Sequence, residues 1–277
     1  MRTGRGGAGR SGLGLPEEIV NALTVDVEAP ATLGADGRHL PGLLARLLDV
    51  LDVHRARGTF FVLGGVARRH PRLVRDIVAR GHDVACHGWD NTPVYRLGPA
   101  GFRADVRRAK HAVEQAAGRF VRGYRAPSHS IRRDTPWAFA VLAEEGFVYD
   151  SSMIPLLHER PGIPDTTRVP HVARIIDGIE FWEIPLGTAR VAGLNVPLGG
   201  RFLDLFPAAL VRRAIAAVNT RERRPIVYVH PCALDSRAFG TARQKLPGLL
   251  EGSSFASIEA VFEAVRPAAR RVVARAS

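Results

Sequence analysis

Short, wholly apolar runs alternate with amphipathic stretches from residue 19 onward, and that alternation leaves the chain few architectures. IVNALTVDV (19–27), TFFVLGG (59–65) and HDVACHG (82–88) read as strands. Between them, LPGLLARLLDVLDVHRARG (40–58) and HPRLVRDIVARG (70–81) carry Leu and Val at helical spacing and stop at Gly58 and Gly81. A strand such as TFFV, with no polar alternation, is buried on both faces, the condition of a parallel sheet covered by helices. Repeated strand–helix units with right-handed crossovers imply an α/β fold, either a parallel barrel or a doubly wound sheet.

The rhythm continues through a helix over 98–118, with Phe102, Val106, Ala109 and Val113 on one face. FVRGYRAPSHSI (120–131) reads as a strand entering a Pro-containing loop, with Arg125 and His129 at its mouth. Asp134 caps a helix that Gly146 closes, and FVYDSS is the next strand. From 154 to 180 the pattern loosens into an excursion over one mouth of the barrel, with a hairpin about IIDGIE. FWEIPLGT returns as a strand, RVAGLNVPLGGRFLDLFP reads as a Gly-rich loop region, and a helix begins at Pro207. The final strand, RPIVYVHP, ends on His230, and SFASIEAVFEAV is the last helix. A chain of 277 residues suits one large barrel, which commonly reaches about 250 residues. We expect a single domain over 19–268, between a basic Gly-rich arm (1–18) and an Arg-rich tail (269–277).

The net charge of +12 is almost wholly arginine, since Lys110 and Lys245 are the only lysines. Such a field attracts polyanions, but no nucleic-acid-binding module accompanies it, so it reads as a solvated surface without a specific nucleic-acid partner. Cys86 and Cys232 are too few for a disulfide framework. No apolar run approaches the ~20 residues of a membrane span, and the start lacks the apolar core of a secretory signal. A cytoplasmic location is the expectation.

Chemistry-bearing side chains gather at the strand ends: Asp26, Glu28, His87, Arg125, Glu183 and His230. In parallel barrels that edge carries the active site. Asp26 and Glu28 stand at i and i+2 and so share one face of a strand. His87 and Asn91 stand four apart, the spacing of paired metal ligands, with a neutral amide oxygen where a second imidazole would bind zinc better. Alternation turns Cys86 away from the face of His87.

The motifs TVDVE, TFFVLG, HGWD, YRAPS, EEGFVYDSS, GIP, WEIPL and YVHPCALD resemble, in spelling and order, the polysaccharide deacetylases. These are the NodB-like carbohydrate esterases of family 4, and the likeness is to the branch found with exopolysaccharide gene clusters. The resemblance covers roughly residues 20 to 235. It implies a deformed (β/α)7 barrel and metal-assisted removal of N-acetyl groups from amino sugars of a polysaccharide or glycoconjugate. Asp26 matches the catalytic base, His230 the general acid, and Arg125 the residue that holds the base. Glu183 falls in the acidic motif and pairs with Arg125 in this reading. Glu28 and His87 match metal ligands, and Asn91 stands where the second His belongs. Pro127 has no N–H, so Ser128 is the oxyanion donor of that loop. Ala29 replaces an expected Asp. The implied cofactor is a divalent metal: zinc held weakly, a harder ion such as magnesium or manganese, or no ion at all. The alternatives are an allantoinase-like hydrolase of small cyclic amides or ureides, and a degenerate barrel that binds glycan without chemistry. The excursion 154–180 and VAGLNVPLGG are expected to rim the site.

Overall fold

A computed structural model describes residues 20–28, 39–155, 167–191, 194–200, 202–219, 224–231 and 242–264. The expected terminal arm and tail, Ala29 and Cys232 lie outside these residues. The first half is a run of βα units: β1 (Val20–Val27), α1 (Leu40–Val53), β2 (Thr59–Val62), α2 (Gly64–Arg69), α3 (Pro71–Ala79), β3 (Asp83–Cys86), α4 (Val94–Ala117), β4 (Gly123–Tyr124), α5 (Trp137–Glu144) and β5 (Tyr149–Asp150). The second half adds β6 (His171–Ile176), β7 (Ile179–Glu183), β8 (Thr188–Val191), β9 (Leu194–Pro197), α6 (Phe202–Leu205), α7 (Ala208–Val218), β10 (Ile226–Val229), α8 (Ala242–Leu250) and β11 (Ser254–Ala256).

Strands β10, β1, β2, β3, β4, β5 and β7 are neighbours in that order and all parallel, which gives the seven strands of a curled, incomplete barrel. Strand β6 adds antiparallel to β7 at one edge, and β11 pairs parallel with the start of β1. Between β7 and β10 the sheet is bridged by loop backbone: the Gly187 N–H donates to the Ile226 carbonyl (2.9 Å) and the Gly200 N–H to the Tyr228 carbonyl (2.9 Å). A Cβ at Gly199 would stand 2.2 Å from the Tyr228 ring, so only glycine lets that backbone lie flat on β10.

Strand alternation sorts the core into two layers. Leu23, Val25, Phe60, Val62, Cys86 and Phe181 face the helices, where they meet Leu44, Val74 and Val106. Ala22, Phe61, Ala85, Tyr149, Trp182 and Ile226 point inward and fill the barrel. Gly123 also faces in; Tyr149 occupies the space its side chain would take, with ring atoms 2.2–2.5 Å from a Cβ there. The interior is therefore plugged with aromatic side chains at its lower levels, and polar residues begin above them.

Several element boundaries differ from the sequence reading. Helix α1 ends at Val53, not at Gly58, because Arg55 takes a left-handed conformation (φ 51°). Helix α2 was not anticipated, since two glycines open it; Gly64 is needed there because a Cβ would sit 2.7 Å from the Ala109 Cα of α4. Gly98 (φ 65°) interrupts α4, so the helix proper starts at Pro99 and is closed by left-handed Gly118. The hairpin about IIDGIE is present as β6–β7. Its turn, Asp177–Gly178, has positive φ at both residues, the type I′ geometry that an Asp-Gly pair favours. The stretch read as Gly-rich loop contains the antiparallel pair β8–β9. SFA at the head of the supposed last helix is strand β11, and the helix starts at 258.

Candidate active site

The parallel ladder continues one residue past each strand, and that is where the polar residues sit. The His87 N–H donates to the Val62 carbonyl (3.0 Å), the Arg125 N–H to Cys86 (3.0 Å), and the Ser151 N–H to Tyr124 (2.9 Å). Register does the rest: Val25 pairs with Val229, so Asp26 and His230 follow on adjacent strands. Thr24 and Asp26 share the inward face of β1, above Ala22.

Arg125 is wholly buried and organises this level. Its Nη1 donates to Asp26 Oδ1 (2.7 Å) and Thr24 Oγ1 (2.8 Å), its Nε to the Ser151 carbonyl (2.8 Å), and its Nη2 to Ser151 Oγ (3.1 Å). The guanidinium lies over the Phe61 ring, 4.0 Å from its centroid. Burial alone would raise the Asp26 carboxyl, but the Arg125 charge, helped by His87, His230 and His129, holds it well below the usual carboxylate range. Asp26 is therefore ionised, with Oδ1 held and Oδ2 free of hydrogen bonds from the described residues.

His87 and Glu28 form a second centre. His87 Nδ1 lies 2.8 Å from the Arg125 carbonyl, which can only accept, so that nitrogen carries the hydrogen. Its Nε2 is 3.0 Å from Glu28 Oε1, and the Asn91 amide is 3.4 Å from Glu28 Oε2. A bare imidazole lone pair facing a carboxylate oxygen at that distance is repulsive unless a cation is shared between them. A proton can serve: burial lowers the His87 pKa, but its bond to Glu28 and the charges of Asp26 and Glu28 raise it overall. A metal ion can also serve, since two donors at ~2.1 Å from an octahedral ion stand ~3.0 Å apart. The Glu28–His87 pair thus fits a divalent cation, and Asn91, turned to present Oδ1, offers a third donor. Among the described residues no group of three His, Cys, Asp or Glu forms a metal cluster. Cys86 faces the helices; burial pushes its thiol up to about 12.

The Asn91 loop is well anchored. The Trp89 N–H donates to Asp105 Oδ2 (3.0 Å), and the Trp89 ring is covered by Arg108 at 3.7 Å and Arg68 at 4.9 Å. Across the mouth, Pro127 opens a short 3-10 turn in which Ser128 (φ 53°) and His129 (φ 51°) are both left-handed. The Ser128 N–H has no acceptor among the described residues.

Glu183 is placed differently from the expectation. It shares the outward face of β7 with Phe181, behind the barrel wall, and its partner is Asp150 on β5 rather than Arg125. Glu183 Oε1 accepts the Met153 N–H (3.0 Å), while Asp150 accepts the Ser152 N–H (3.0 Å) and Oγ (2.7 Å). Burial first, then the Asp150 charge, raise Glu183 well above the carboxylic range, and burial raises Asp150 as well, so the two adjacent carboxyl groups favour holding one proton between them. The pair braces the strand that carries Ser151. Part of the expected rim, 156–166, lies outside the described residues; the remainder meets at Asn195, whose amide donates to the Pro155 carbonyl (2.9 Å). Sequence reasoning passed over Thr24 and Ser151, though alternation from Asp26 and the polar DSS run at 150–152 could have found them. It noted His129 without giving it a role.

Comparison with known proteins agrees with this fold. Residues 16–146 match the family model for polysaccharide deacetylase, and residues 151–246 match one described as a domain of unknown function. A chitooligosaccharide deacetylase of Rhizobium leguminosarum bv. trifolii is 34% identical over 179 residues, covering 61% of this chain and 80% of that one. Another, from Sinorhizobium fredii, is 36% identical over 119 residues, 43% of this chain and 49% of its own length, so the match spans about half of that relative. The crystal structure of a Mycobacterium smegmatis protein described as a polysaccharide deacetylase has the same fold, with a TM-score of 0.64 at 24% identity over 92% of this chain and 93% of that one. With Asp26, Glu28, His87, Arg125 and His230 gathered at the C-terminal edge of a seven-stranded barrel, and with these matches, the chain belongs to the polysaccharide deacetylase family.

Proposed function

We propose that the chain removes N-acetyl groups from amino sugars of a glycan, releasing acetate and a free amine. The observation that carries this reading is the Arg125-held Asp26 carboxylate standing beside the His87–Glu28 centre, with His230 on the adjacent strand. A purely binding barrel needs no acid–base pair.

Asp26, ionised and with Oδ2 free of hydrogen bonds from the described residues, takes the proton of the attacking water as it adds to the acetyl carbon. The Ser128 N–H, in its left-handed turn, meets the oxygen that becomes negative. His230 delivers a proton to the departing nitrogen, which prevents expulsion of an amide anion. Glu28 and His87, with Asn91, would hold a divalent cation, whose chemistry there is Lewis-acid polarisation of the acetyl carbonyl and a lowered water pKa. One imidazole, one carboxylate and one amide oxygen form a poor zinc site and suit magnesium or manganese better.

The test is acetate release from N-acetylated chito-oligosaccharide by protein purified without chelator, beside an Asp26→Asn control, with bound metal measured by mass spectrometry. Turnover abolished by Asp26→Asn supports the reading. Absence of turnover with any of zinc, manganese or magnesium, together with retained oligosaccharide binding, would move it to a glycan-binding barrel.

A further inference from the structure

His129 has no part in the mechanism above, yet it stands in the same mouth. Its ring packs edge-on against Tyr228 at 5.4 Å, and Tyr228 packs likewise against His230 at 6.0 Å. Asp26 of β1 and His87, Arg125 and His230 at the ends of β3, β4 and β10 all act on it electrostatically, so the imidazole faces the space where base, acid and cation site converge. The side chain is half-buried, and Nδ1 is its sealed edge, without a hydrogen-bond partner among the described residues. An orphaned buried N–H is rarer than an orphaned acceptor. The favoured tautomer therefore leaves the lone pair on sealed Nδ1 and places the hydrogen on Nε2, the ring nitrogen that is not both sealed and unpartnered. Burial, only partly offset by Asp26, pushes this imidazole down to about 3, so it is neutral wherever the enzyme would work.

A neutral imidazole can donate to an oxygen that gains negative charge without surrendering its proton, the use made of histidines whose pKa has been lowered beside a carbonyl. The local backbone supports that role. The left-handed pair Ser128–His129 turns the Ser128 N–H and the His129 ring out of one short loop, so both donors are carried by the same rigid turn. The need would also be greater in the cation site proposed above than in one with two imidazole ligands, because an amide oxygen is the weaker donor.

We propose that His129 is a catalytic residue whose Nε2–H donates a hydrogen bond to the acetyl oxygen of the substrate and stabilises the charge that develops on it, together with the Ser128 N–H. The proposal rests on the N-deacetylase reading, and the experiment separates the two. His129→Phe keeps a flat ring against Tyr228 and removes the donor; His129→Gln restores an N–H donor at similar reach. Thermal melts of both variants verify folding. With wild-type turnover, His129→Phe should lower kcat about 100-fold with little change in KM, as loss of one oxyanion donor does. His129→Gln should recover most of that rate, and neither variant should remove an ionisation from the pH profile between 5 and 8. A His129→Phe enzyme with unchanged kcat, or a Gln variant as slow as Phe, overturns the proposal while leaving the deacetylase reading intact. Without wild-type turnover, the deacetylase reading fails, and the donor is read instead from calorimetric affinity for an oligosaccharide carrying a methylphosphonamide in place of the N-acetyl group, whose anionic oxygen stands in for the charge that develops. A loss of fivefold or more in His129→Phe that His129→Gln restores supports the donor, and equal affinities refute it.

Discussion

Replacing Arg125 by Met asks how the mouth is held together. Methionine is similar in length and apolar, so it can still cover Phe61, but it removes every donor that reaches Asp26, Thr24 and Ser151. Two costs follow. A buried ion pair broken from one side loses about 3–5 kcal/mol, because the remaining charge has no compensation. The buried Ser151 carbonyl also loses the guanidinium donor, at about 1–3 kcal/mol if nothing replaces it. We expect a total of about 4–8 kcal/mol at pH 7, a large share of the usual 5–15 kcal/mol of a domain. Asp26 offers partial relief, which gives the effect its pH signature. In the wild type its folded pKa is depressed, so its contribution is present above the unfolded value near 4 and disappears as pH falls through the folded value. Without Arg125, burial governs and the carboxyl rises; the variant is then penalised at neutral pH and relieved as Asp26 takes a proton. Urea unfolding at pH 7 and pH 5 should therefore show a smaller penalty at pH 5. Asp26→Asn combined with Arg125→Met should cost at least about 2 kcal/mol less than the sum of the single changes. A penalty under about 1 kcal/mol, one independent of pH, or an additive cycle would refute this account.

Three further outcomes are expected. Glu183→Gln should present an uncharged N–H donor to Asp150 in place of the shared proton and leave stability at pH 7 unchanged or raised. The wild-type Glu183 pKa is elevated in the fold, so its contribution is complete below about 4.5 and declines as pH rises; urea melts showing a loss above about 2 kcal/mol at pH 7 would contradict a proton held by the pair. His82, whose Nδ1 accepts the Gly58 N–H (3.2 Å), is pushed down to about 4 by burial, so stability should fall as pH drops from about 6.5 to 4, by about 1–2 kcal/mol from this residue. His82→Asn should flatten that slope in acid titrations followed by circular dichroism, and an unaltered slope would exclude His82 as its source. Asn91→His should tighten zinc at least about tenfold in competition with a chromophoric chelator and raise acetate release; tighter zinc without faster release would show that the natural chain does not work as a weakened zinc enzyme.

The strand–helix succession was legible because parallel strands covered on both sides have to be apolar throughout, as TFFV is, and because their helices end on glycine, as α4 does at Gly118. The misreadings share a cause: local signals there were overruled by tertiary contacts. Gly64 and Gly65 argue against a helix, yet α2 forms because Gly64 packs on Ala109 and Trp89. SFA at 254–256 joins a helical pattern in sequence, yet it is a strand because the start of β1 leaves a ladder position open beside Asn21. VAGLNVP looks like a loop, yet β8 and β9 pair across it.

The site was legible where one residue past a strand decides its chemistry, and illegible where facing or backbone sign decides it. His87, Arg125 and His230 each stand at such a position, Asp26 is the last inward-facing residue of β1, and the parallel register brings the four together without further assumption. Glu183 is also at a strand end, but Trp182 takes the inward place on β7 and turns its neighbour out to Asp150. Counting alternation back from Trp182, the largest side chain able to plug the barrel, would have told the two faces apart. The left-handed turn at Ser128 and His129 carries no glycine or asparagine to announce it, so nothing in SHS marks a loop that presents two donors. Strain of this kind, about 1–3 kcal/mol per residue, is kept only where the surroundings over-determine it. Here those surroundings are the His129 N–H bonded to the Ala126 carbonyl (3.0 Å), the Ala126 N–H bonded to Ser152 Oγ (2.7 Å), and through Ser152 the buried Asp150–Glu183 pair. The acidic pair that faces away from the mouth is thus tied by hydrogen bonds to the turn that faces into it, which makes Glu183 a support for the site rather than a member of it.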